Sequence, residues 1–76
     1  MNRERRKSLA EIQARIESIM EDLETLRDEE EEYRDNMPEN LQGSERYEKA
    51  DEACDNLNNA YDYLEEVISY IEEATA

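Results

Sequence analysis

YEKADEACDNLNNAYDYLEEVISYIEEA, residues 47–74, is the stretch that decides the fold. Within it Tyr47, Ala50, Cys54, Leu57, Tyr61, Leu64, Ile68 and Ile71 lie alternately three and four apart, the spacing of a helix packed along another helix. Ala53, Ala60, Val67 and Ala74 form a second column one heptad apart, and Tyr63 and Tyr70 widen it further. One neighbouring helix covers only a narrow stripe, so a face this broad needs more than one partner. The reading is all-α: an antiparallel two-helix hairpin with heptad packing that self-associates, with a dimeric four-helix bundle as the expected form.

Toward the N-terminus the chain supplies the other helix and the turn. Ser44 is placed to cap the second helix by accepting from the N–H of Arg46 or Tyr47, and Glu45 suits the positive end of its dipole. Pro38 removes a backbone donor and stops a helix arriving from the N-terminal side. Asn36 is expected to close that helix in a left-handed conformation, and Gly43 to free the backbone. Leu9, Ile12, Ile16, Ile19, Leu23, Leu26, Tyr33 and Met37 repeat the three-four rhythm, with Glu30 as the one seam position that is not apolar. The expectation is a single domain, 1–76, with a helix over about 3–35, a turn over 36–43 and a helix over about 44–74.

Folding about that turn pairs Leu9 with Ile71, Ile12 with Ile68, Ile16 with Leu64, Ile19 with Tyr61 and Leu23 with Leu57. Glu30 then faces Ala50, where it can reach solvent or Arg34 as a polar register device. Arg5, Arg6 and Lys7 fall beside Glu72 and Glu73 and are expected to clamp the open end.

The chain has 76 residues, 42% of them charged, a net charge of -14 and a mean hydropathy of -1.19. Scattered apolar residues at this composition would leave the chain disordered; the ordered heptads instead imply long helices with a solvated outer surface. Arg3, Arg5, Arg6 and Lys7 make the first residues basic, while the remainder is deeply acidic and repels phosphate, which argues against direct nucleic-acid binding. Cys54, the only cysteine, lies on the seam and fits a reducing, cytoplasmic setting. No apolar run suits a secretion signal or a membrane span.

Histidine is absent, so nucleophile-base pairs and hydrolytic zinc sites lose their usual members. Acids lie one helical turn apart at Glu17 and Glu21 and at Asp51 and Asp55, but the calcium-loop pattern is missing. The expectation is a protein that is not an enzyme and carries no cofactor or metal. The candidate interaction face is Ala53, Ala60, Tyr63, Val67, Tyr70 and Ala74. An alternative reading gathers Tyr33 with Arg34, Arg46, Lys49, Arg3, Arg5 and Arg6, from symmetry-related chains, around a nucleotide-like anion.

The turn DNMPENLQGSERYE, Asp35 to Glu48, with the acidic heptads that follow it, resembles a turn in a group of small acidic helical-hairpin proteins of Gram-positive bacteria, prophages and phages. The group has no established activity, so the resemblance assigns no functional residue. It implies a phage- or mobile-element-type accessory protein in the bacterial host cytoplasm, for which blocking a host defence protein is a common task. The first expectation is therefore a homo-oligomer that binds and blocks a host protein through an acidic helical surface. The alternatives are a sponge that sequesters a nucleotide-type signal between chains, and a structural or assembly partner.

Overall fold

The computed structural model describes residues 1–76 as α1 (Arg3–Asp35), a single 3-10 turn (Glu39–Leu41) and α2 (Glu45–Thr75). The two α-helices pack against each other as an antiparallel hairpin with extents of 59 × 15 × 13 Å. Both helices begin and end within about a residue of the places read from the sequence. No helix is long and apolar enough to cross a membrane.

Local chemistry sets the ends. The Asn2 side chain caps α1 by accepting from the Arg5 N–H at 2.8 Å, and Ser44 caps α2 by accepting from the Tyr47 N–H at 3.3 Å. The Ser44 hydroxyl also donates to the Leu41 carbonyl, which ties the cap to the 3-10 turn. The exit from α1 differs from expectation. Asn36 is right-handed at φ -86° and ψ 0°, because its own N–H still reaches the Glu32 carbonyl at 3.0 Å and the Met37 N–H reaches Arg34 at 3.2 Å. The chain leaves the helix at extended Pro38, φ -57° and ψ 148°. Gly43 has no positive φ, and a Cβ built there meets nothing within 4 Å, so this turn does not use its left-handed freedom.

On α2 the buried and half-buried row runs Tyr47, Ala50, Cys54, Leu57, Tyr61, Leu64, Ile68 and Ile71. On α1 the inward row is Leu9, Gln13, Ile16, Met20, Leu23, Arg27, Glu30, Arg34 and Met37. This corrects the sequence reading: Ile12, Ile19, Leu26 and Tyr33 are exposed and lie at the flank rather than in the centre of the seam. Leu9, Ile16, Leu23, Glu30 and Met37 recur every seven residues and belong equally to a seam completed by Ile12 and Ile19 or to one completed by Gln13 and Met20. The second is adopted. Met20 is buried, the Arg27 guanidinium lies over the Tyr61 ring at 5.6 Å, and Arg34 donates to Asp51 at 2.9 Å. Their stems cover the seam while their charged heads stay at its edge.

The polar contacts along that edge define one antiparallel register: Gln13 with Glu72, Arg27 with Asn58 and Arg34 with Asp51. Each lies farther toward the open end of the hairpin than the expected alignment. Side chains lean toward the N-terminus of their own helix, which carries α1 side chains to the open end and α2 side chains to the turn. Two further expectations are corrected. Of the two alternatives for Glu30, solvent or Arg34, the second is not used, since Arg34 pairs with Asp35 and Asp51. Arg5, Arg6 and Lys7 form no ion pair with Glu72 or Glu73, and Glu72 accepts from Gln13 instead; exposed end charges gain too little to hold long side chains in place.

Candidate functional site

The rotation of α1 sorts the hairpin into two faces. Ile12, Ile19, Leu26 and Tyr33 lie on one flank of the α1 seam, a column one heptad apart. On α2 the corresponding flank holds Arg46, Ala53, Ala60, Val67 and Ala74. Helical periodicity in an antiparallel pair puts these two columns on the same face of the hairpin. The contact of Tyr33 with Arg46 joins them at the turn end, with Arg46 Nε donating to the Tyr33 hydroxyl at 2.8 Å and its guanidinium 6.0 Å from the ring. Large apolar side chains on this face stand open to water: Ile19 is 52% exposed, Leu26 55%, Tyr63 68% and Tyr70 69%.

The opposite face is acidic. The flank of α1 beyond Gln13, Arg27 and Arg34 carries Glu17, Glu24 and Glu31, and the matching flank of α2 carries Asp51, Glu65 and Glu72. Only Asp51 and Glu24 of these meet a base, Arg34 at 2.9 Å and Arg27 at 3.8 Å. This face therefore carries a net negative charge, with acids spaced along much of the rod.

Five residues of 76 are buried: Met20, Met37, Ala50, Cys54 and Ile68. Burial raises the Cys54 thiol pKa above its usual value, with Glu31, Glu30 and Asp51 adding to the effect and Arg34 opposing it. Such a thiol is a poor nucleophile near neutral pH. Arg34 is held in its charged form first by its hydrogen bond to Asp35, and also by Asp51. Desolvation acts on Arg27 in the opposite sense but is outweighed by the hydrogen bond and charge of Asp28, with Glu31 and Glu24 contributing. Arg27 Nε has no partner. No three acidic or cysteine side chains are gathered as a metal site requires.

The residues considered for anion binding do not converge within one chain. Tyr33 and Arg46 meet at an open hollow of about 240 Å³, which is also lined by Asn36, Met37, Pro38 and Leu41. Arg34 lies at the opposite edge of the seam, bound to Asp35 and Asp51. Lys49 pairs with Glu45 at 3.1 Å. Arg3, Arg5 and Arg6 stand at the far end of α1, about 45 Å away at about 1.5 Å per residue. The hollow is smaller than the ~300 to 1,000 Å³ of ordinary small-molecule sites, so a nucleotide would need a second chain to enclose it.

Of the face residues named from sequence, Tyr63, Val67, Tyr70 and Ala74 are exposed, while Ala53 and Ala60 are half-buried beside the seam. Sequence reasoning missed the α1 half of the face, because Ile12, Ile19 and Leu26 were assigned to the seam. The available signal was the amphipathic series Gln13, Met20, Arg27 and Arg34, which keeps the same heptad anchors. Comparisons with protein families, curated proteins and solved structures find no match for this chain.

Proposed function

We propose that the protein is a non-enzymatic binding protein that self-associates through heptad-packed helices and uses its acidic face to bind and block a basic, nucleic-acid-binding protein of a bacterial host. In this role it is a phage- or mobile-element-type accessory acting in the host cytoplasm. The single observation that carries the reading is the segregation of charge, with Glu17, Glu24, Glu31, Asp51, Glu65 and Glu72 along one face and apolar side chains along the other. A row of carboxylates along a rod presents a basic cleft with an extended negative surface, as nucleic acid does, and steers the cleft onto itself. The chain's net charge of -14 favours a cationic protein over an anionic ligand, which would have to approach against the field. The nucleotide-sponge reading has less support, since Tyr33 and Arg46 alone meet.

The test is capture from a bacterial lysate at low and high salt, with the wild type beside a Glu24→Gln, Glu31→Gln, Glu65→Gln variant. Retention of one stoichiometric nucleic-acid-binding protein, released by salt and lost with the variant, supports the reading. Capture that is indifferent to salt and to the variant counts against it, because charge recognition is screened within about 10 Å at 0.1 M salt.

A further inference from the structure

We infer that the apolar face is covered by a second copy of the same chain, stacked face to face about a two-fold axis parallel to the helices, with both turns at the same end. The inference rests on the self-association proposed above and not on any host partner. A monomer would overturn it and leave acidic-face capture to stand on its own test.

The first argument is area. A folded monomer of 9.1 kDa exposes about 4,900 Å² on the usual mass scaling, whereas this hairpin exposes 5918 Å². The excess is of the order of the ~800 Å² that each partner gives to a standard interface. A face 59 Å long and 15 Å wide is large enough to supply it. The rod shape raises the exposed area, and half-exposed Ile19 and Leu26 mark where a partner would lower it.

Charge selects the occupant. Two chains of net charge -14 repel except where they meet on a surface poor in acid, and the apolar face is the one such surface on the rod. Its outer edges carry Arg15 and Asp22 on α1 and Tyr63 and Tyr70 on α2. A two-fold parallel to the helices permits no sliding, so α1 meets the partner's α2 at the register the hairpin itself has. That register sets Arg15 against the partner's Tyr70, a cation over an aromatic ring, and Asp22 against the partner's Tyr63 hydroxyl, which can donate to it. Each edge pair occurs twice, as an isologous interface requires.

Side-chain size selects the orientation. With the turns together, the large α1 column meets the small α2 column, Ile19 against the partner's Val67 and Leu26 against the partner's Ala60. Large against small fills a four-helix core. With the turns at opposite ends, α1 would lie on the partner's α1, large on large, and the alanines would face alanines across a gap.

The experiment uses the full chain with Cys54→Ala and Gly43→Cys. Position 43 accepts a side chain without contact and takes a nitroxide label at the turn. Sedimentation equilibrium should give a dimer, and pulsed electron resonance should give a label separation of about 20 Å, set by helix packing. A dimer with labels near the 59 Å length of the rod overturns the orientation, and a monomer overturns the whole inference. Ile19→Gln with Leu26→Gln, both exposed in the hairpin, should abolish the dimer at equal helix content by circular dichroism at high concentration. A dimer that survives this pair of substitutions places the interface elsewhere.

Discussion

Exchanging Met20 or Ile19 for alanine separates the two possible rotations of α1 more sharply than any other pair of changes. Met20 is 7% exposed on the seam, whereas Ile19, its neighbour in sequence, is 52% exposed. Met→Ala in a core costs roughly 2 to 5 kcal/mol. The lower end applies here, because a seam one helix thick can close around the gap. Ile19→Ala removes carbons worth about 0.8 kcal/mol each when fully buried. Half of that burial is absent in the hairpin, and alanine gains a few tenths of a kcal/mol in helix propensity, which leaves about 0.5 to 1 kcal/mol. Cys54 supplies the assay, because its 1% exposure makes thiol labelling report opening of the hairpin. At pH 8 Met20→Ala should accelerate labelling by about 30-fold and Ile19→Ala by less than about fivefold, at 1.4 kcal/mol per tenfold. Dilution should leave the Met20 effect unchanged and shrink any part of the Ile19 effect that comes from the face-to-face dimer. If Ile19→Ala were the more damaging change in dilute protein, the rotation of α1 described above would be refuted.

Other perturbations test the turn, the thiol and the charged surface. Ser44→Ala removes the acceptor for the Tyr47 N–H and should lower the urea midpoint by the equivalent of about 1 kcal/mol, with the slope unchanged. Gly43→Ala should stabilise the hairpin by about 0.4 to 1 kcal/mol, since its φ is not positive and a Cβ there meets nothing; a loss in thermal melts would argue for a left-handed Gly43. Because burial raises the Cys54 pKa above the usual 9.0, the unfolded chain releases the thiol proton first. Stability should be unaffected by this group below pH 9 and fall as pH rises beyond it, and Cys54→Ala should remove that part of the alkaline loss in urea titrations. Added salt should tighten self-association in sedimentation experiments while weakening capture of a basic partner, because screening relieves the repulsion between two acidic chains and also the attraction to a cation.

Much of the fold was legible because it depends on local chemistry. The α2 row from Tyr47 to Ile71 needs only the spacing of its own residues, and Ser44 and Pro38 act within a turn of where they stand. The exceptions were also local. Asn36 and Gly43 are residues that tolerate a left-handed backbone, yet the continuing hydrogen bonds to Glu32 and Arg34 made that conformation unnecessary at Asn36, and at Gly43 the Ser44 N–H reaches the Leu41 carbonyl without a positive φ. The ion-pair clamp expected at Arg5, Arg6 and Lys7 failed for a different reason, since proximity along a rod does not outweigh the entropy of long exposed side chains.

The sequence by itself determined that two helices form, where they start and stop, and which side of α2 turns inward, because capping, proline chemistry and an unambiguous apolar row all act within one helix. Only the tertiary structure decided which side of α1 meets it. Leu9, Ile16, Leu23 and Met37 serve either of two seams equally well, so periodicity cannot separate them. The choice rests on the facing helix, where Tyr61 receives the Arg27 guanidinium and Asp51 receives Arg34. That rotation, by leaving Ile12, Ile19 and Leu26 open to water, creates the broad apolar face.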